Sequence, residues 1–228
     1  MFTRHWLSVT QFQWDAVAQP NNWITLVFCV LLLLLAVIFV TFRRKLSLIC
    51  RALFSQRHFS LVQREGKVLE DRMSVYLLVF DLLTITTGLV MFCGEYIPGA
   101  VAKFPFIANI GIFFGALLVA YLLNLLCNEL YASLYGWTKE RVAINQYKFC
   151  MMTDVALVMF PMLVAIQYAQ LRFLYYVIVA FIGILFVSWF YRVMKINFTA
   201  GRGIHFFLYF CTFEILPWLV ALKVLLII

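Results

Sequence analysis

Six long apolar segments constrain the fold of this chain more than any other feature of its sequence. A transmembrane helix needs about 20 mostly apolar residues to cross roughly 30 Å of hydrocarbon. Inside a bilayer the protein itself must satisfy every backbone polar group, and a helix does so within one segment. We therefore predict an all-α, polytopic membrane protein with six transmembrane helices. The segments lie at about residues 22–42, 73–96, 104–127, 149–169, 173–191 and 205–227.

The composition agrees with this prediction and excludes an ordinary water-soluble domain. Of the 228 residues, 65% are hydrophobic and 12% are charged, whereas soluble domains are about half apolar. The polar groups are too few to cover a water-facing surface around that apolar mass. No linker or low-complexity tract interrupts the sequence, so residues 1–228 are expected to form a single transmembrane domain.

The distribution of basic residues predicts how the helices are oriented. The first apolar segment is followed directly by "RRK" and preceded by few charges, unlike a cleavable secretory signal. If the N-terminus lies outside, the three cytoplasmic connections hold 8, 3 and 3 of the 18 Lys and Arg residues. The positive-inside rule favours this arrangement. We expect a multi-pass protein of the bacterial inner membrane with a periplasmic N-terminus and C-terminus.

The connection between the first two segments begins with a basic amphipathic pattern. Apolar residues recur at helical spacing from Leu46 to Phe54, and basic or polar residues occupy the other side. This pattern predicts an amphipathic helix on the cytoplasmic leaflet, between the first and second transmembrane helices. Its basic residues are expected to bind anionic lipid headgroups, and a docking surface for a cytoplasmic partner is the alternative. The expected headgroup residues are Arg43, Arg44, Lys45 and Arg51.

Carboxylates within the apolar segments are the main functional candidates. A charge at the centre of a membrane helix costs about 2.5–3.5 kcal/mol on insertion scales, so charged residues there tend to be functional. Asp81, Asp154 and Glu214 all fall in the cytoplasmic half of their segments. We predict one cytoplasm-facing polar cavity centred on Glu214, with an arginine as its cationic partner. The predicted members are Glu214, Asp81, Asp154, Asn124, Arg192 and Arg202.

Glu214 has two interpretations that the sequence leaves open. Pro217 cannot donate a hydrogen bond to the carbonyl of Phe213, which frees an acceptor close to Glu214. A protonated Glu214 that donates to a nearby carbonyl would be a local structural repair. Carboxylates beside interrupted membrane helices also build proton or cation sites.

Small residues mark predicted contacts between the second and third segments. Gly111 and Gly115 form a G-x-x-x-G pattern, and Gly88 lies on the helix face that also carries Asp81. Small residues let helix backbones approach closely. Together with Pro217, these glycines are expected to shape helix packing. A conduction path between the two helices is the alternative.

The sequence lacks the motifs of common membrane enzymes and cofactor proteins. Its histidines, His5, His58 and His205, cannot supply two transmembrane haem ligands. H-E-x-x-H, G-x-S-x-G and C-x-x-C do not occur in it. We therefore expect no metal, no cofactor and no nucleic-acid partner, and we interpret the net charge of +8 as complementary to anionic lipid. The lack of these motifs favours a non-enzymatic protein over an enzyme.

The C-terminal third of the sequence resembles a known family. The stretch "YRVMKINFTAGRGIHFFLYFCTFEILPWLVALKVLL" contains a Tyr-x-Cys-x-x-Glu-Ile-x-Pro pattern preceded by an Arg-bearing turn. In this it is similar to the Bacteroidota inner-membrane family catalogued as domain of unknown function 4271. The resemblance implies a lineage and about six spans, and it implies no activity. The matching residues are Arg192, Lys195, Gly201, Arg202, Tyr209, Cys211, Glu214, Ile215 and Pro217.

These observations lead to one expected function and one alternative. We expect a small, non-enzymatic, transport-type or ion-coupled component of the cell envelope, with water reaching a cavity around Glu214. The alternative is a scaffold subunit of a membrane-embedded envelope-export or secretion complex. Such a scaffold would bury Glu214 and present the face around Gly111 and Gly115 to a partner. The expected partners are lipids of the anionic inner leaflet, another protein or a second copy of the chain.

Overall fold

The computed structural model describes residues 22–54, 72–97, 101, 104–135, 138–199 and 223. Over these ranges the regular secondary structure is α-helical, which confirms the predicted all-α class for this part of the chain. Five of the helices are long and apolar enough to cross a membrane, as expected of a multi-pass membrane protein. They are α1 (Asn22–Phe54), α2 (Arg72–Tyr96), α3 (Phe106–Tyr135), α4 (Thr138–Ala169) and α5 (Leu174–Thr199).

The helices cover nearly all of the first five predicted segments, and several extend well beyond them. α3 continues to Tyr135 and α4 already begins at Thr138, although the apolar segments end near residue 127 and resume near residue 149. Hydropathy marks the part of a helix that lies in hydrocarbon, whereas the backbone hydrogen bonds continue into the polar region. The predicted sixth segment, residues 205–227, lies outside the described residues apart from Lys223.

α1 changes direction at Phe42, where the backbone leaves helical geometry (φ −127°, ψ 29°). The part before Phe42 is the first apolar segment. In the part after it, Leu46 and Ile49 are buried, while Arg44 and Lys45 are exposed. The apolar side of this part therefore packs into the protein core, and its basic side faces outward.

α4 is the central helix, because it packs against all four of the others. The largest core cluster lies where α1, α2 and α4 meet, and it includes the fully buried Leu31 and Leu163. Aromatic contacts join the same helices: the ring centroid of Phe160 lies 6.3 Å from that of Phe28 and 6.1 Å from that of Phe80. In a bilayer such close packing holds helices together, since lipid is as apolar as the side chains themselves.

α4 and α5 form a tight helical hairpin. α4 ends at Ala169 and α5 begins at Leu174, so "QLRF" is the whole connection. Gln170 takes the left-handed backbone conformation (φ 56°), and its carbonyl accepts a hydrogen bond of 3.0 Å from the backbone N–H of Arg172. We call this end of the bundle the turn end. The opposite end carries the start of α4 and the kink of α1.

Candidate functional site

Asp81 of α2 and Thr153 of α4 form a buried hydrogen bond between the two helices. The Thr153 hydroxyl donates to Oδ2 of Asp81 over 2.7 Å. Both residues have an exposed fraction of 0%. Close packing of α2 on α4 brings these positions together. A carboxyl group therefore lies in the interior of the bundle with a hydroxyl as its direct partner.

Asp154, the next residue of α4, is a second buried carboxyl group beside Asp81. It lies close enough to Asp81 for their charges to interact. The Cys50 thiol of α1 is within hydrogen-bonding reach of Asp154. Oδ1 of Asp81 and Oδ2 of Asp154 have no hydrogen-bond partner among the described residues. We call Asp81 and Asp154 the carboxyl pair.

The surroundings of the carboxyl pair are only weakly polar. Tyr121 of α3 lies near Asp81. The nearby hydroxyl of Thr84 donates to the carbonyl of Phe80, one helical turn back on its own helix, over 2.8 Å. Within the described part of the chain, neither carboxyl group forms an ion pair. The described ranges also contain no group of three or more His, Cys, Asp or Glu side chains arranged to hold a metal ion.

A second polar cluster joins α3 to α4 nearer the opposite end. The Lys148 ammonium donates to Oδ1 of Asn124 over 2.6 Å, and the Asn128 amide donates to the same oxygen over 3.2 Å. Asn128 also donates to Oδ1 of Asn145 over 3.2 Å. The ammonium lies 5.9 Å from the ring centroid of Trp189 in α5, which is a cation–π contact. We call these residues the asparagine–lysine cluster.

An apolar groove of about 480 Å³ runs along α4, with α2, α3 and α5 contributing to its walls. Lys148 is the single charged residue of its described lining, and Leu163 lines it farther along α4 toward the turn end. Tyr121 also lines the groove, so it passes close to Asp81. The described lining includes neither member of the carboxyl pair.

A polar cavity of about 500 Å³ lies at the turn end. Arg172 and Glu95 line it and form an ion pair of 2.8 Å, with 72% and 35% of their side chains exposed. The Asn109 amide also lines it and donates to the carbonyls of Val101 and Phe104 over 2.8 and 2.9 Å. These bonds fix the backbone that precedes α3, so Asn109 has a structural role here.

Only part of the predicted polar cavity is brought together in the described residues. Asp81 and Asp154 are neighbours, whereas Asn124 is hydrogen-bonded within the asparagine–lysine cluster. Arg192 belongs to the last turns of α5. The other predicted residues of this region lie outside the described part, namely Glu214, Arg202 and Pro217.

The predicted packing glycines have different surroundings. Gly88 of α2 faces α4 so closely that an added Cβ would overlap Cε of Met159. For Gly111 and Gly115 of α3, no described residue lies within 4 Å of the place where a Cβ would stand. Among the described residues, only Gly88 therefore lies where an added Cβ would meet a neighbouring helix, and the atom it would meet is the flexible end of the Met159 side chain.

The predicted headgroup residues lie just after the kink of α1. Arg43, Arg44 and Lys45 are exposed, and the Arg43 guanidinium lies 5.7 Å from the ring centroid of Phe39. Arg51 is on the same helix, one turn before its end. The exposed side chains of Arg43, Arg44 and Lys45 form a basic patch at the opposite end of the bundle from the α4–α5 turn.

Sequence reasoning did not single out Thr153, Asn128, Asn145 or Lys148. The last three were assigned to a connecting loop, because hydropathy falls after residue 127. Their spacing carried a usable signal, since Asn124 and Asn128 are separated by i, i+4 and Asn145 and Lys148 by i, i+3, which puts each pair on one helix face.

Comparison with known proteins places the chain in one family. The family model described as a domain of unknown function, DUF4271, matches residues 24–225. No curated protein matches the chain, and no solved structure matches it. The family match covers nearly all of the five described transmembrane helices and of the predicted sixth segment. The chain therefore belongs to the DUF4271 family.

Proposed function

We propose that the protein is a small, non-enzymatic, ion-coupled transport component of the bacterial inner membrane, in which the carboxyl pair takes up a proton. The observation that carries this proposal is the burial of two adjacent carboxyl groups inside a membrane bundle. Asp81 and Asp154 have a hydroxyl and a thiol as neighbours and no ion pair within the described part of the chain.

Electrostatics supports a proton as the ligand of this pair. Two negative charges side by side in a low-dielectric interior repel each other strongly, and a single proton between them removes that repulsion. Thr153 is well placed to orient Asp81, because its hydroxyl donates to Oδ2 of that carboxyl group. Oδ1 of Asp81 has no hydrogen-bond partner among the described residues. Intramembrane carboxyl groups in such settings typically belong to proton relays or cation sites.

The topology of the proposal has six spans with both termini in the periplasm. Residues 205–227 form the sixth span, and the part of α1 after Phe42 lies along the inner leaflet. There Arg43, Arg44, Lys45 and Arg51 contact anionic headgroups. The exposure of the first three of these side chains supports this, as does the excess of basic residues in the same connections.

Cysteine accessibility tests the topology. In a variant without native cysteines, Gln170→Cys at the turn end should react with a membrane-impermeant maleimide added to intact spheroplasts. Ser47→Cys should react only after the membrane is opened. Labelling in the reverse order would contradict the proposed orientation.

Proton flux in proteoliposomes tests the proposed role of the carboxyl pair. Vesicles that contain a pH-sensitive dye are given a potassium diffusion potential, and the rate of internal pH change is measured. We expect a potential-driven change with the wild-type protein and a rate at least about tenfold lower with Asp81→Asn. Glu95→Gln, which alters the exposed ion pair at the turn end, should keep the wild-type rate. Equal rates for wild type and Asp81→Asn would contradict the proposal.

A scaffold role is the second candidate, and it is favoured by Gly111 and Gly115, beside which no other part of the described chain packs. In this role the small-residue face of α3 receives a helix of a partner or of a second copy. The test is Gly115→Trp, compared with wild type by native mass spectrometry in mild detergent. Loss of an assembled species with unchanged thermal stability of the remaining protein would support the scaffold, and an unchanged assembly would exclude this face.

A further inference from the structure

We propose that the polar cavity at the turn end binds a zwitterion, a molecule that carries an oxyanion and an ammonium group together, and that its source is the headgroup of phosphatidylethanolamine. Neither member of the carboxyl pair belongs to the described lining of this cavity. Proton uptake by that pair is independent of the zwitterion, because Glu95 and Arg172 of the cavity take no part in it.

The cavity presents one group of each charge. In its described lining, the charged residues are Glu95 near the end of α2 and Arg172 in the α4–α5 turn. A purely anionic ligand would be repelled by Glu95, and a purely cationic ligand would be repelled by Arg172. A ligand that carries both charges can pair with both residues. The lining therefore selects a zwitterion against either kind of simple ion.

The ion pair keeps further donors and acceptors for such a ligand. Its contact of 2.8 Å joins Nη1 of Arg172 to Oε1 of Glu95. A guanidinium has five N–H donors and a carboxylate has two acceptor oxygens. Both side chains are partly exposed, so a ligand can reach their remaining polar atoms. In the bound state the oxyanion accepts from Arg172 and the ammonium group donates to Glu95.

The α4–α5 turn fixes the backbone that carries Arg172. The N–H of Arg172 donates to the carbonyl of Gln170 over 3.0 Å, and the carbonyl of Arg172 accepts from the N–H of Tyr175 over 3.1 Å. Gln167 and Gln170 line the cavity beside it, and their amide groups can bind the other oxygens of an oxyanion. A binding group on a fixed backbone costs less ordering when the ligand arrives.

The depth of the cavity favours a lipid headgroup as the source of the zwitterion. The cavity lies where the apolar spans of α2 and α4 end, at Tyr96 and Ala169. Exposed aromatic side chains at helix ends are typical of the membrane–water interface, where the headgroups lie. Those near this end of the bundle are Trp23, Tyr168, Phe173 and Tyr176.

The apolar part of the cavity wall also fits a lipid. Ile24 of α1, Val90 and Met91 of α2 and Ile166 of α4 line the cavity together with the polar residues. Its volume of about 500 Å³ lies within the usual range of ligand sites, about 300–1,000 Å³. The glycerol and the first methylene groups of a phospholipid would cover this apolar wall, whereas a small polar solute would leave it exposed to water.

Native mass spectrometry of the full-length protein tests the ligand class. The protein in mild detergent receives equal amounts of phosphatidylethanolamine, phosphatidylcholine and phosphatidylglycerol with the same acyl chains. Phosphatidylcholine has no N–H donor for Glu95, and phosphatidylglycerol has no cationic group. We expect the wild-type protein to retain phosphatidylethanolamine about tenfold better than phosphatidylcholine, because a hydrogen bond to a charged group is gained. Equal retention of these two lipids would overturn the proposal.

Two variants locate the binding in the cavity. Arg172→Gln should lower the retention of phosphatidylethanolamine, because the oxyanion loses its cationic partner. Glu95→Gln should remove the preference over phosphatidylcholine and raise the retention of phosphatidylglycerol, since the repulsive carboxylate is gone. The basic patch at the other end is the same in every variant, so these differences report on the cavity. Glu129→Gln, which changes an exposed carboxylate of α3, is the matched control and should behave as wild type. Wild-type preferences in both Arg172→Gln and Glu95→Gln would overturn the proposal.

Competition by glycerophosphoethanolamine distinguishes the two sources of the zwitterion. This water-soluble compound carries the same headgroup without acyl chains. If the site belongs to the lipid, an excess of the compound should leave bound phosphatidylethanolamine in place. Displacement of the lipid would overturn the membrane source and assign the cavity to a free zwitterionic solute.

Discussion

The Thr153 hydroxyl donates a hydrogen bond of 2.7 Å to Oδ2 of Asp81, and this bond joins the central helix α4 to α2. Both residues are fully buried. Its partners are separated by 72 residues in the chain. The bond therefore depends on the tertiary packing of the two helices, and it fixes one carboxyl oxygen of the pair while the other stays unoccupied among the described residues.

Removal of this hydroxyl should destabilise the bundle. Thr153→Val keeps the shape of the side chain but leaves a buried carboxyl oxygen without its donor, which costs about 1–3 kcal/mol. The free energy of unfolding should fall by that amount in a detergent titration.

Thr84→Val is the matched control for Thr153→Val. Thr84 is equally buried, but its hydroxyl donates to the carbonyl of Phe80 on its own helix. That carbonyl keeps its place in the helical hydrogen-bond ladder, so the loss should stay below about 1 kcal/mol. Equal losses of unfolding free energy in the two variants would show that the bond between α2 and α4 contributes no more to stability than a bond within one helix.

Gly88→Ala should destabilise the contact between α2 and α4. The new methyl group would overlap Cε of Met159, which is the movable end of a flexible side chain, so the loss should be about 1 kcal/mol, the low end of the cost of an added methyl group in a packed core. Thermal unfolding in detergent measures the effect.

Two comparisons decide whether packing is the cause of the Gly88→Ala effect. Gly111→Ala meets no atom of the described residues, so it should be neutral or stabilising by up to about 1 kcal/mol through helix propensity. Gly88→Ala combined with Met159→Ala should be less damaging than the sum of the two single changes, because each removes the clash partner of the other. Additive losses would argue against a direct contact.

The asparagine–lysine cluster should be most sensitive at Asn124. Its Oδ1 accepts from the charged Lys148 and from Asn128, and a hydrogen bond to a charged group contributes about 1.5–3 kcal/mol. Asn124→Ala should therefore lower the free energy of unfolding by at least that much. Asn145→Ala removes one neutral bond, which is worth about 0.5–1.5 kcal/mol. A larger loss for Asn145→Ala would contradict this ranking.

The Glu95–Arg172 ion pair should contribute little to stability despite its short distance. Most of the Arg172 side chain is exposed, and exposed pairs are worth about 0–1 kcal/mol. Glu95→Gln should shift the unfolding midpoint only slightly at low salt. At high salt the difference from wild type should vanish, because salt screens exposed charges. A large, salt-independent loss would mean that the pair is shielded from solvent.

The sequence predicted the membrane class and the first five spans because long apolar runs report directly on burial in hydrocarbon. It did not predict where the helices end, since helices such as α3 and α4 continue into polar sequence. Lys148 was missed for the same reason, because it lies on α4 in polar sequence that hydropathy assigns to a loop.

The candidate site was predicted only in part, for a different physical reason. Asp81 and Asp154 stood out because carboxylates are rare at membrane depth. Their partners Thr153 and Cys50 are ordinary residues in membrane helices, and only tertiary packing brings them to the carboxyl groups. Helix periodicity identifies which residues share a face, but it does not show which faces meet. The roles of Glu214 and Arg202 stay predictions.

Infrared spectroscopy of the reconstituted protein tests the central claim most directly, because the carbonyl stretch of a protonated carboxyl group is separate from that of a carboxylate. A bound proton on the carboxyl pair predicts a protonated-carboxyl band that shifts in heavy water and loses intensity in Asp81→Asn and in Asp154→Asn. Glu95→Gln should leave that band unchanged. A band of wild-type intensity in both aspartate variants would contradict proton binding by Asp81 and Asp154.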